Sequence, residues 1–142
     1  MNVPNLRSPK DAVGGLVYFG RMLDKISLHS EGTLPAEYHE NLGGGFDERC
    51  LDFLCVDYPS LTARMQKGGS DEEILRWCYT TGRQPSPQEI EIWGEFMRKR
   101  GWNDEATPRL LQRLQEVGVS DRTDIETFFD FLDLDEGRDP RA

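Results

Sequence analysis

Apolar residues recur along the chain at steps of three and four, and almost every such run is bracketed by residues that start or stop a helix. The first stripe is Leu16, Phe19, Leu23 and Ile26, with Gly32 as its C-terminal stop. Asp47 stands as an N-cap before Leu51, Leu54 and Cys55. Asp57-Tyr58-Pro59 then forces a break, because the residue before proline avoids helical dihedrals. Pro59 opens a third helix with Leu61 and Met65, ending at Gly68-Gly69. Ser70 and Glu73 form a capping box ahead of Ile74, Leu75 and Cys78, and Gly82 stops that helix. Ser86, Pro87 and Glu89 repeat the device for a helix that turns Ile90, Trp93, Phe96 and Met97 inward. Gly101 predicts a left-handed stop with Trp102 folded back on Met97. Thr107-Pro108 opens a helix with Leu110, Leu111 and Leu114, closed by Gly118 with Val119 reaching Leu114. A last helix is expected to start near Asp121 to Thr123 and to bury Ile125, Phe128, Phe129 and Leu132.

This pattern predicts an all-α fold of six or seven short helices, irregularly packed, with no alternating strand, internal repeat or linker. The expected organisation is one helical domain over 1–142, with an N-terminal arm at 1–13, a long Gly-rich loop at 33–45 and an acidic tail at 136–142. A chain of 142 residues with 37% hydrophobic and 10% aromatic content can build a core without a metal or disulfide. No apolar run approaches the ~18 residues of a membrane span, and the N-terminus has charges and prolines where a signal peptide would be apolar. A cytoplasmic location is the expectation. The net charge of −9 opposes non-specific binding to nucleic acid and docking on anionic lipid. Cys50, Cys55 and Cys78 are odd in number and lack paired spacing, which points to reduced thiols.

The segment Thr33 to Gly45 carries no helical stripe, and structureless loops of about 12–15 residues are uncommon unless functional or disordered. It holds Tyr38, His39 and Asn41, then Gly43, Gly44 and Gly45 leading into a helix N-terminus. Glycines there allow close backbone approach, exposed amides and the helix dipole favour an anion, and Arg49 adds a charged donor. The lysine and hydroxyl residue of a phosphate loop are absent, and Asp47 competes for the same amides. Cys50, in the first turns of that helix beside Arg49, has the setting of an activated thiol, with His39 as its base. The competing reading makes Cys50 a small buried apolar group, as Cys55 and Cys78 are read. The two histidines, ten residues apart, make no zinc pattern, and no motif calls for a metal or cofactor. The acids Asp133, Asp135 and Glu136 fail the register of a calcium loop and read as a solvated end. Arg98, Lys99 and Arg100 close a helix against its dipole.

Leu6 to Asp11 followed by Gly14-Gly15-Leu16, Met22 to Ile26, Ile92-Trp93 through Lys99 to Trp102, and Phe128 to Asp133 together resemble the bacterial domain-of-unknown-function 5069 family. The resemblance covers nearly the whole chain. It implies a compact helical bacterial protein and carries no activity, cofactor or site residue. The function expected from the residues is a non-enzymatic module binding a small anionic ligand or a protein partner. The rival is a small thiol enzyme using Cys50 with His39, and self-pairing stays open.

Overall fold

The computed structural model describes residues 1–140, so the last two residues of the acidic tail lie outside it. The described residues contain seven α-helices: α1 Phe19–Ser30, α2 Phe46–Leu54, α3 Tyr58–Met65, α4 Asp71–Thr81, α5 Pro87–Lys99, α6 Thr107–Glu116 and α7 Phe128–Asp135. Both expected capping boxes form. The Ser70 hydroxyl accepts from the Glu73 amide and the Glu73 carboxylate from the Ser70 amide; Ser86 and Glu89 do the same. The stop after α6 is also as expected, with Gly118 at φ +76° and the Val119 amide donating to the Leu114 carbonyl at 2.9 Å.

Leu16 departs from the expected first helix. Ala12–Val13 (β1) and Leu16–Val17 (β2) pair antiparallel, Ala12 opposite Val17 and Val13 opposite Leu16. Gly14 and Gly15 sit between them at φ +57° and +81°, the positive pair a tight two-residue hairpin demands. The turn chemistry thus overrides a stripe that Leu16 matches in phase. Tyr18, at φ +71°, makes the corner into α1.

The main core gathers Leu16, Phe19, Met22 and Ile26 with Cys50, Leu54, Leu61, Ile74, Cys78, Trp93, Met97 and Phe129. Trp93 stacks on Phe53 with ring centroids 5.1 Å apart. Two smaller clusters flank it. Leu110, Leu114, Ile125 and Phe131 seal α6 against α7. Val3 and Leu6 pack on Leu28 and Leu34, so the N-terminal arm is anchored. Arg7 extends that anchor: its guanidinium bonds Asp24 on α1 through two nitrogens at 2.9 Å and Asp71 on α4 at 2.7 Å. Gly82 closes α4 against the end of α2, where a Cβ would lie 1.9 Å from the Leu54 carbonyl oxygen. The Arg83 amide donates to that same oxygen at 3.0 Å.

Four expectations at helix ends are corrected. Residues 33–45 are not free of helix: Ala36–Asn41 form a 3-10 helix. α2 begins at Phe46 with Gly45 before it, so Asp47 is inside the helix and not its cap. α7 begins only at Phe128, because the Thr127 hydroxyl caps it by accepting from the Asp130 amide at 3.1 Å. At the end of α5 the chain turns out at Arg100, the Gly101 amide is taken by the Asp104 carboxylate, and Trp102 is 53% exposed instead of covering Met97.

Candidate functional site

The least expected feature of this molecule is a polar seam along one face of α1. Tyr18, Arg21 and Lys25 follow one another at steps of three and four, so they share a face, and all three are buried. Burying a cation is costly unless it is paired and hydrogen-bonded. Lys25 Nζ lies 2.9 Å from Oδ1 of Asp47, whose carboxylate is fully buried. The Tyr18 hydroxyl donates to the same oxygen at 2.7 Å and accepts from Lys25 at 3.2 Å, while the Gly43 amide donates to Oδ2 at 3.0 Å. Arg21 forms a two-pronged pair with Glu136, at 2.8 and 2.6 Å. Glu136 also accepts from the Tyr38 hydroxyl at 2.8 Å and from Arg138 at 2.7 Å. Burial drives the Tyr18 phenol well above its ordinary value, with the Asp47 charge adding to it. Burial likewise lowers Lys25, against the pull of Asp47. For Glu136 burial pushes upward, but the hydrogen bonds and charge of Arg21 outweigh it and hold the carboxyl below its usual range. Arg21 Nε is the sole buried side-chain polar atom without a partner among the described residues.

The seam absorbs much of the segment singled out in the sequence. Tyr38 is half-buried and committed to Glu136. His39 is exposed; its Nε2 lies 3.0 Å from the Leu34 carbonyl oxygen and its ring meets the edge of His29 at 4.9 Å. Asn41 is exposed. Gly43, at φ +76°, backs onto the Tyr58 ring and spends its amide on Asp47. Gly44 donates to the Asn41 carbonyl at 3.0 Å, and Gly45, at φ +58°, opens α2. The glycine run therefore already holds an anion, the protein's own Asp47.

Cys50 is fully buried in the main core, while His39 sits at the flanking cluster, so the structure does not bring the expected thiol and base together. Burial first, then the nearby Asp47 charge, pushes the Cys50 thiol well above its ordinary value, the reverse of activation. Cys78 is pushed up to about 12 by burial, and Cys55 is exposed at the end of α2. Of the C-terminal acids Asp135 is exposed as expected, but Asp133 and Glu136 are buried against Arg138, Lys10 and Arg21.

Arg49 alone among the candidates faces outward with its charge available. Its guanidinium lies over the Phe96 ring at 5.3 Å, and Arg100 covers the same ring at 5.5 Å. Phe96, expected inward, is 42% exposed; Ile92, one turn before it, is 62% exposed. Ile90, Trp93 and Met97 supply the inward face of α5, and Ile92 with Phe96 forms a second stripe on its flank. Arg49 has no carboxylate within ion-pair distance among the described residues, and Arg100 has Asp104 at 3.5 Å. Reading Arg100 only as a match for the helix dipole missed this role. The detectable signal was a Phe four residues before an Arg on one helix.

Elsewhere an open groove of about 400 Å³ runs beside α4, lined by Glu72, Leu75, Arg76, Tyr79, Thr80 and Gln84. Among the described residues no three His, Cys, Asp or Glu side chains converge as a metal site, and no helix is long and apolar enough to cross a membrane. A model of the family described as "Domain of unknown function (DUF5069)" matches residues 3–138, and the chain belongs to that family. No curated protein matches it.

Proposed function

We propose that the protein is a non-enzymatic binding module whose partner is another protein, held on the surface formed by Arg49, Phe96 and Arg100. The observation that carries this reading is Phe96, an outward-facing ring covered from two helices by guanidinium groups. Aromatic rings and arginines are the residue types enriched at the centres of protein interfaces, where they combine apolar area with directed donors. An arginine already laid on a ring loses less freedom on binding than one that extends into water. The small-ligand alternative has less behind it, since the concavity beside α4 is an open groove and not an enclosed pocket.

The test is site-specific photocrosslinking in living cells, with a photoreactive phenylalanine analogue at position 96 and, separately, at position 76 in the α4 groove. The reading predicts discrete protein adducts from position 96 that disappear when Arg49→Ala is added. Adducts from position 76 alone, or none from position 96, would contradict it.

A further inference from the structure

The Phe96 surface continues beyond Arg49 and Arg100. The Arg100 carbonyl accepts the Phe128 amide at 2.9 Å, which joins the end of α5 to the start of α7. Arg109 lies over the Phe128 ring at 6.0 Å, and Arg113, one turn further along α6, lies over the Phe131 ring at 5.7 Å. Four guanidinium groups, from α2, α6 and the end of α5, thus lie over three phenylalanine rings. Arg49, Arg109 and Arg113 are exposed, and none of them has a carboxylate within ion-pair distance among the described residues. In a chain of net charge −9, with 26 acidic side chains for 17 basic ones, arginines left without carboxylates are conspicuous. Arg7, Arg21, Arg83, Arg122 and Arg138 all bond carboxylates. Arg64 and Arg76 have no carboxylate within ion-pair distance either among the described residues, so what sets the stripe apart is an unpaired guanidinium held over a ring.

We infer that this arginine-on-phenylalanine stripe docks an acidic protein segment whose carboxylates pair with Arg49, Arg109 and Arg113 while an apolar side chain settles beside Phe96 and Ile92. The inference rests on the reading of the Phe96 surface as a binding face and adds the chemistry of what binds there. A guanidinium held over a ring by its charge does not spend its N–H donors there, and those donors can take a carboxylate two-pronged. The exposed ring and Ile92 supply apolar area that a purely ionic ligand would leave unused. Nucleic acid also pairs with arginine and stacks on aromatic rings. It is disfavoured here because its uniform phosphate charge meets the net-acidic molecule as a whole, whereas a peptide brings only a few carboxylates. Charge complementarity therefore selects the peptide.

The experiment uses the full chain and a fluorescently labelled short peptide alternating glutamate and leucine, read by anisotropy. Controls are the glutamine counterpart and an oligothymidylate of matched length. The expected result is saturable binding of the glutamate peptide that weakens as salt rises. Arg49→Ala and Arg109→Ala should each weaken it about tenfold, the value of one charge-assisted hydrogen bond, while Arg76→Ala leaves it unchanged. An unchanged thermal midpoint in each variant shows that folding is not the cause. No binding, binding indifferent to both stripe arginines, equal binding of the glutamine peptide, or tighter binding of the oligothymidylate would each overturn the inference. So would a sedimentation mass showing that the stripe is filled by a second copy. If crosslinks form at position 96 but the glutamate peptide fails, the acidic-segment inference falls and the binding-module reading stands.

Discussion

Two sets of cations divide this molecule. Arg21 and Lys25 on α1 are buried, and each is locked to a carboxylate that accepts further hydrogen bonds from its neighbours. Arg49, Arg109 and Arg113 lie at the surface over rings, with no carboxylate partner among the described residues. Both sets place positive charge beside aromatic side chains, yet their physical circumstances are opposite. A buried charge must have its partner for the protein to fold, so the α1 seam is committed to architecture. An exposed, unpaired guanidinium contributes little to stability and keeps its donors for something else. Charge that is buried and paired is thus closed to a partner, and charge held at the surface over a ring is open to one.

The largest consequence concerns Asp47. Asp47→Ala strands Lys25 and removes the acceptor for Tyr18 and Gly43, which should cost about 3–5 kcal/mol. In urea denaturation that appears as a large drop in midpoint, and in thermal unfolding as a shift of roughly 10 °C. A loss below about 1 kcal/mol would show that the seam does not hold the fold. Thiol chemistry gives the next contrast. A thiol reagent should modify Cys55 in the native protein and leave Cys50 and Cys78 untouched until denaturant is added. Rapid native labelling of Cys50 below pH 8 would revive the activated-thiol reading.

The acid limb of stability comes next. Glu136 has its folded value held below the usual carboxylate range, so between that value and about 4.5 the unfolded chain binds more protons than the folded one. Its contribution is complete above about pH 4.5 and is lost as pH falls through the folded value. Urea midpoints measured from neutral pH downward should decline there, and Glu136→Gln should flatten the decline. A variant with the same acid slope as the parent would place the linkage elsewhere. The smallest effect belongs to the exposed arginines. Arg49→Ala or Arg109→Ala should change stability by about 0.5–1 kcal/mol at most, the value of an exposed cation–ring contact. A loss as large as that of Asp47→Ala would erase the distinction between the two sets.

The helices were readable because their signals are local. Capping boxes at Ser70 and Ser86 and the Gly118 stop act within a few residues, and each forms as expected. Some misreadings are local, as where the Gly14-Gly15 turn overrides the stripe at Leu16 and Asp104 takes the Gly101 amide, but those in the candidate segment and the acidic end come from contacts between residues far apart in sequence. Asp47 looks like a cap until α1 brings Lys25 and Tyr18 to it across gaps of 22 and 29 positions. Glu136 looks like a solvated acid until Arg21 reaches it from 115 residues away. Phe96 matches the apolar periodicity of α5, but Ile90, Trp93 and Met97 already fill its inward face. Of the candidate segment, Arg49 was legible as an available charge. Its partner ring was not, because nothing local ties α2 to α5.

The division between committed and available cations is tested most directly by following arginine side-chain N–H resonances by NMR while the glutamate–leucine peptide is titrated into the full chain. The account predicts that the signals of Arg49, Arg109 and Arg113 move with the titration while that of Arg21 stays fixed. Movement centred on Arg76 beside α4, or no movement at Arg49, Arg109 and Arg113, would contradict it.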